Sequence, residues 1–508
     1  MVRSSVPGYP GRLGAVSPRL ALVFFALGIV ARLPFQTENL WAHDSVLYER
    51  AALRFDPLDQ RPQPPGYLYY VLLIRALALV TGDANRAMAI ISLLAGAAAI
   101  ALLYVLAARL YDERTARVSA LFLLTAVTFW AYGGVAYPYT LLGALTIACA
   151  LLLWRAATAS PERELRAIVT ASAIWGVAIG FRSDLALFLA PVWLVAVWGK
   201  RWSSAVSGAI VVAAFTLSWY AASALADGGL ARFAEALRVQ AQFVDERYSV
   251  FGPQGLAALY ANLYELGRFL GRGLYFLAPL AAAVPLSAAA RHIELTDRRR
   301  ALFVAAWTFS PLLIYVPIHS GEYGYVFSMI PGLALLAARG AIALARGARM
   351  PRTLPWLVGA VVLANSAIFL LSDSPLSATD LVRKDRGTTE KFAYLQSAPD
   401  LDRATIIAAY DYEVAGRYNR VGTHNLVGYD PANPPFEAVF STATCAPDKP
   451  DGFACSHAPI LVVWDDLIRV RGAGWETVRM RHGATLRIAR DVGGVLVKVS
   501  GLEVALER

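Results

Sequence analysis

Apolar residues come in long unbroken blocks, each close to the ~20 residues that cross a hydrocarbon core, with short polar or basic stretches between them. Residues 88–108 and 205–226 are two such blocks. Buried helices of soluble proteins rarely run so long without interruption, so the pattern predicts an α-helical polytopic membrane protein. About eleven crossings spread over residues 1–371 give a self-consistent path.

The stretches 109–117, 155–166, 200–201, 291–300 and 339–352 are rich in Arg and Lys. Short cytoplasmic loops collect these residues, so the five stretches predict the cytoplasmic side. The turns at 133–138, 181–184, 226–267 and 319–325 then face outward, as does the first loop, 36–66. Arg3, Arg12 and Arg19 precede the apolar run 20–30 with no small-residue cleavage site after it, which predicts an uncleaved first helix starting in the cytoplasm. Segment 66–81 is apolar but short and carries Arg75. Parity predicts that it re-enters or lies at the interface. In the long outward stretch, Leu230, Phe233, Leu237, Val239 and Phe243 recur at roughly helical spacing among Arg232, Arg238 and Asp245. Either a helix lying on the membrane surface or a plain connector fits them.

After residue 371 the character changes, and Asp, Pro, Asn and Gly return. Residues 404–409 and 459–464 read as buried strands, and 475–499 alternates like a small antiparallel ribbon. A small soluble α/β domain over 372–508, on the outer or periplasmic side, is expected. Cys445 and Cys455 fall in its loop-rich middle, whereas Cys149 sits in a span. An oxidising compartment would allow a disulfide between the first two; two free thiols are the alternative.

Composition agrees: 57% of residues are hydrophobic and 17% charged, against about 25% charged in soluble domains. The net charge of +10 does not predict nucleic-acid binding, since a nucleic-acid binder gathers its cations on one soluble face. Here they separate apolar blocks, setting orientation and attracting anionic membrane lipid. There is no Gly-rich phosphate loop, tandem repeat or heptad run. The six histidines are scattered without ligand spacing, so no metal or other cofactor is expected.

The first outward loop is the richest in candidate chemistry. It contains WAHDSVLYERAA at 41–52 and QPPGYLYY at 63–70. Asp44 and Tyr48, four apart, would share a helix face. An isolated Asp44 could also simply cap that helix, and Asp56 and Asp59, in FDPLDQRP, read first as a turn.

These segments, with GFRSDLALFLAP at 180–191 and EYGYVFSMIPGLALLAA at 322–338, resemble the GT-C superfamily of membrane glycosyltransferases. The branch is that of the protein O-mannosyltransferases and the lipid A aminoarabinose transferases, and the resemblance runs to about residue 371. Two positions depart from it: Ser45 stands where the family often has Glu, and Gln63 replaces the usual His before Pro-Pro.

The resemblance implies a GT-C type fold and transfer of a sugar from a polyprenyl-phosphate donor to an acceptor hydroxyl, with inversion. The acceptor would be a glycan, lipid or protein on the outer face of the plasma membrane. Asp44 is then the candidate general base. Arg61, Arg182 and Arg272, in that order, are candidates for stabilising the departing phosphate. His319, Glu322 and Tyr323 are candidates for binding donor phosphate or sugar. Arg182 could equally pair with Asp184, and a rim histidine could be merely interfacial. Some relatives use a divalent ion, which these residues leave open.

Two other classes compete. A lipid or polysaccharide flippase or transporter would carry polar groups within its spans, and a surface-polysaccharide polymerase or ligase would rely on a large outward loop. Apart from Arg75 the spans hold few charges, and the polar residues cluster at one rim, which favours chemistry at the surface over passage.

Overall fold

The computed structural model describes residues 16–289, 298–347, 351–401, 404–409, 414–415, 425–428, 436–439, 460–492 and 495–507. Cys445 and Cys455, and the disulfide expected between them, lie outside the described residues.

Helix α1 (Pro18–Arg32) is capped by Ser17, whose Oγ accepts the Leu20 amide at 3.3 Å. A polar loop then carries α2 (His43–Leu53) and α3 (Leu68–Thr81). Asp83 caps α4 (Ala84–Leu110) by accepting the Arg86 amide at 2.8 Å, and Asp112 caps α5 (Glu113–Leu124) through the Thr115 amide. After a break at Thr125 comes α6 (Val127–Ala131), followed by α7 (Tyr139–Ala157), α8 (Glu164–Phe181), α9 (Leu185–Val197) and α10 (Trp202–Ala226). The stretch 230–247 is a helix, α11 (Leu230–Arg247), with Phe233 and Ala236 buried. The remaining helices are α12 (Leu256–Leu274), α13 (Leu277–Ala289), α14 (Arg298–Phe309), α15 (Leu312–Tyr315), α16 (Ile330–Gly347), α17 (Leu354–Leu371) and α18 (Ala378–Ser397).

Six of these, α1 with the 3₁₀ turn that extends it to Phe35, α4, α7, α8, α10 and α17, are each long and apolar enough to cross a membrane. Other passes are shorter or broken: α9 contains Pro191, and α15 follows α14 after Ser310 and Pro311. Such breaks are tolerated inside a bundle because neighbouring helices re-satisfy the freed backbone. With α5–α6 and α14–α15 each counted once, the described chain passes between the ends of the bundle eleven times: α1, α4, α5–α6, α7, α8, α9, α10, α13, α14–α15, α16 and α17. Close approach depends on small residues. A Cβ on Gly28 would lie 2.7 Å from the Ala97 Cα, so α1 and α4 meet nearly backbone to backbone.

The two ends differ in chemistry. At one, the Arg300 and Arg339 guanidinium carbons lie 5.4 and 4.5 Å from the Tyr111 ring centroid, Lys200 donates to the Ala159 carbonyl at 2.8 Å, and the Arg201 amide donates to Glu164 at 2.9 Å. The basic stretches thus gather there. At the other end the turns expected to face outward meet: the Thr37 amide donates to the Gly134 carbonyl at 2.9 Å, Val250 to Pro317 at 2.8 Å, and the Tyr132 hydroxyl to Glu322 at 3.2 Å. Helix α3 begins and finishes at this second end. Tyr67 precedes it beside Arg182, and Asn85, just after it, donates to the Glu38 carbonyl at 3.0 Å. Arg75 is accommodated by the Ala51 and Ala52 carbonyls at 3.0 and 2.8 Å.

Beyond α17 the chain forms α18 and two sheets. The strands are β1 (Thr405–Ala408), β2 (Asn425–Gly428), β3 (Phe436–Val439), β4 (Leu461–Val463), β5 (Arg469–Arg471), β6 (Trp475–Arg479), β7 (Thr485–Ala489), β8 (Leu496–Ser500) and β9 (Glu503–Glu507). One sheet has the order β2-β1-β4-β7-β6, the other β3-β8-β9-β5. The fully buried β1 and β4 pair in parallel, as befits strands covered on both faces. Residues 475–489 form the expected antiparallel hairpin, but β8 leaves it to pair with β3 and β9 in the second sheet. Phe392 and Leu395 of α18 pack against Ile406, Val462 and Trp464.

Candidate functional site

At the end away from the basic stretches lies a cavity of about 610 Å³. Its walls come from the first loop with α2, the turn after α8, the α11–α12 pair and the stretch between α15 and α16. Asp44, Arg182, His319 and Glu322 all line it. They come from three loops far apart in sequence, and the alternating direction of the helices brings those loops together.

Asp44 stands in the first turn of α2, half-buried at the cavity wall. Gln63 donates its Nε2 hydrogen to Asp44 Oδ1, and Tyr137 is a second hydrogen-bonding partner. Burial pushes the Asp44 carboxyl above the usual carboxylate range, and His43, Gln63, Tyr137 and Arg182 only partly oppose that. Arg182 is 7% exposed. Its Nε pairs with Asp184 at 3.0 Å, and its guanidinium carbon lies 5.7, 5.0 and 5.0 Å from the ring centroids of Tyr67, Tyr139 and Tyr325. The Asp184 pairing therefore orients Arg182 at the cavity and does not take it away. Three aromatic faces around a planar guanidinium give it a fixed place and favour its charge.

Glu322 accepts the Tyr132 hydroxyl at 3.2 Å. Burial first, and then the charge of Asp44, push its carboxyl up to about 7, against the pull of Tyr132 and Lys384. Burial, with Arg182 adding to it, brings His319 down to about 4, so its imidazole is neutral at physiological pH. The His319 ring lies 4.3 Å from that of Tyr248. Asn262 ties α12 to this stretch: its Nδ2 donates to the Tyr248 and Val316 carbonyls at 2.9 and 3.2 Å, and its Oδ1 accepts the Ser320 amide at 3.3 Å.

Three of the other sequence candidates lie off the cavity wall. Arg61 pairs with Asp59 at 2.9 Å at the surface, within the turn that FDPLDQRP makes. Arg272 donates to the Tyr323 hydroxyl and sits over its ring, so the two occupy each other. One helical turn earlier on α12, Arg268 is the cation that reaches the cavity, held by Glu265. Its signal in the sequence is the Glu265–Arg268 spacing of three on an amphipathic helix. Gln63, Tyr67, Tyr139 and Tyr325 likewise line the cavity. Among the described residues no three His, Cys, Asp or Glu side chains converge so as to hold a metal ion.

A second, mainly apolar groove of about 380 Å³ adjoins the cavity and shares Pro64, Gln240 and Val244 with it. Pro65, Tyr220, Leu237, Ala241 and Ile318, with Asp245 and Ser249, complete its walls.

Comparison with known proteins adds to this picture. The sequence pattern of the dolichyl-phosphate-mannose-protein mannosyltransferase family matches residues 63–223, a span that includes Gln63 and Arg182 but stops short of Asp44. No curated protein sequence matches the chain. Among solved structures, ArnT from Cupriavidus metallidurans in the apo state is similar over 94% of this chain and 100% of its own, with a TM-score of 0.55 at 14% identity. The same protein bound to undecaprenyl phosphate is similar over 94% and 99%, again with a TM-score of 0.55 at 14% identity. The Archaeoglobus fulgidus oligosaccharyltransferase in complex with Zn and sulfate is similar over 80% of this chain and 62% of its own, with a TM-score of 0.50 at 14% identity. The family pattern thus covers residues 63–223 only, and what the chain shares with the ArnT structures is the fold.

Proposed function

We propose that the cavity transfers a sugar from a polyprenyl-phosphate donor to an acceptor hydroxyl, with Asp44 as general base and inversion at the anomeric carbon. The observation that carries this reading is the meeting of Asp44 with Arg182 and Arg268 in one cavity at the end of the bundle away from the basic loops. The acceptor oxygen attacks the anomeric carbon while Asp44 takes its proton, and the bond from that carbon to the phosphate oxygen breaks. Attack from the side opposite the leaving group inverts the centre. The raised affinity of Asp44 for protons suits a base that must accept one at the transition state. The leaving phosphate gains charge as it departs, and Arg182 and Arg268 offer fixed positive charge to meet it without reorganisation.

An amphiphilic donor fits the two adjoining spaces, its phosphate and sugar in the polar cavity and the start of its isoprenoid chain in the apolar groove. The gathering of basic residues at the opposite end supports a plasma-membrane orientation with the N-terminus cytoplasmic and the cavity outside.

The test uses the full-length protein in lipid nanodiscs, offered radiolabelled hexosyl and pentosyl polyprenyl phosphates with extracted envelope glycolipids and glycoproteins as acceptors. Transfer of label with release of polyprenyl phosphate is expected, and Asp44→Asn should lower it by about 10²–10⁴-fold. Wild-type rates from the Asn variant would remove Asp44 from the chemistry. Movement of donor across sealed vesicles with no new glycosidic bond would replace transfer by transport.

A further inference from the structure

Asp385 belongs to α18, beyond the last membrane helix, yet its partners lie in the first outward loop. It is 8% exposed. Its Oδ1 accepts the Asn39 amide at 2.8 Å and the Glu38 amide at 3.0 Å, and its Oδ2 takes the Glu38 amide at 3.1 Å. Asn39 answers with its Nδ2, which donates to the Asp385 carbonyl at 2.8 Å, to Oδ1 at 3.1 Å and to Thr389 Oγ1 at 2.9 Å. The preceding residue, Lys384, has its Nζ 4.8 Å from the Trp41 ring centroid. A carboxylate taken out of water is stable only when donors replace the water, and here the amides that do so belong to one short segment on the far side of the sequence.

That segment leads directly into α2. The N-cap position of α2 is Ala42, which offers no side chain to bond the free amides of the first turn. The start of the helix is set instead by what grips the residues before it and beside it. From the membrane side these are Asn85 on the Glu38 carbonyl at 3.0 Å, Gly134 on the Thr37 amide at 2.9 Å, and the Ala136 carbonyl on Ser45 Oγ at 2.7 Å. From the other side the grip is Asp385. Asp44 follows Trp41 by three residues.

We propose that Asp385 is a positioning residue for the transfer reaction: by holding Glu38 and Asn39 it fixes where α2 begins, and so where the Asp44 carboxylate stands in the cavity. The inference rests on the reading of Asp44 as the base. It gives the C-terminal region a part in catalysis with no contact to either substrate.

The full-length protein in nanodiscs is compared with Asp385→Ala, Asp385→Asn and, as a control, Arg386→Ala at the exposed neighbouring position. Hydrogen exchange is followed over 38–48, together with kcat, donor KM and the pH dependence of the rate. Asp385→Ala is expected to speed exchange over 38–48 while α4 keeps its protection, to lower kcat by about 10- to 100-fold with little change in donor KM, and to move the acid limb of the pH profile. Asp385→Asn keeps one carbonyl oxygen for the two amides and should recover part of each effect, and Arg386→Ala should change none. Unchanged exchange over 38–48, or a wild-type kcat and pH profile in Asp385→Ala, overturns the proposal. Should the Ala variant fail to fold, the Asn variant decides by the same readouts. If the wild-type protein transfers no sugar at all, the reading of Asp44 falls, while the exchange measurement still decides whether Asp385 holds the loop.

Discussion

Replacing Gln63 by Leu removes the amide that donates to Asp44 while roughly keeping the volume of the side chain. A hydrogen bond to a charged group is worth about 1.5–3 kcal/mol, and one pKa unit corresponds to about 1.4 kcal/mol. Asp44 is only half-buried, so water recovers part of the loss and the lower end applies, about one unit. The sign follows from which form the bond favours. Gln63 stabilises the carboxylate and lowers the Asp44 pKa, so its loss raises that pKa and the rate is regained only at higher pH. The acid limb of kcat/KM should therefore move up by about one unit, with the plateau rate largely kept. Below about pH 7 Glu322 is mostly protonated and adds little charge beside Asp44, so Glu322→Gln should leave that limb near its place. The assay is transfer from a labelled polyprenyl-phosphate sugar in nanodiscs at half-unit intervals of pH. A limb that stays in place in Gln63→Leu, or that moves to lower pH, refutes the assignment of that limb to Asp44.

Arg182→Ala should lower kcat by about 10²–10³-fold, and Arg182→Lys should recover little. An ammonium has neither the plane that meets Tyr67, Tyr139 and Tyr325 nor an Nε–H set back from the charged tip to pair with Asp184; steady-state rates at saturating acceptor check both. His319→Gln should leave the pH profile above neutrality unchanged, because burial already keeps that ring neutral until the pH falls toward 4. Gly340→Ala places a Cβ 1.8 Å from the Leu280 carbonyl oxygen, so α13 and α16 must separate. The expected cost is about 1–3 kcal/mol, read as a lower melting temperature of the purified protein. The matching change Gly359→Ala meets nothing within 4 Å and should leave that temperature unmoved.

The path of the membrane unit is legible in the sequence because charge is costly in hydrocarbon and therefore marks each turn. Arg109, Arg155, Lys200 and Arg339 flank or interrupt apolar blocks, and the structure gathers the stretches that hold them at one end. Segment 66–81 shows how a parity argument works: fourteen helical residues with Arg75 among them could not be placed as a crossing without reversing every later loop, and α3 does return to the end where it starts. The passage of β8 into a second sheet is not legible. Strands β6, β7 and β8 carry similar alternation, and the partner that separates β8, β3, lies about 60 residues earlier in a stretch with no pattern of its own.

Residue types at the cavity follow from the loops, since Asp44, Arg182, His319 and Glu322 each sit at the end of the bundle opposite the basic stretches. Which cation faces the cavity does not follow. Of the arginine candidates Arg61 is closest to Asp44 in sequence, but Asp59 stands two residues before it and the turn that sequence predicts closes that pair. Arg268 and Arg272 are four apart on one face of α12, so no periodicity separates them; the difference is made by Tyr323, which arrives from another loop and takes Arg272. The cage around Arg182 is harder still to see, because Tyr67, Tyr139 and Tyr325 each read as an ordinary aromatic at the membrane interface. A cation's neighbours are fixed by helices that meet only after folding. The hydrogen bond from Gln63 belongs to the same class: a glutamine before Pro-Pro has no reason to be singled out until α2 turns Asp44 toward it.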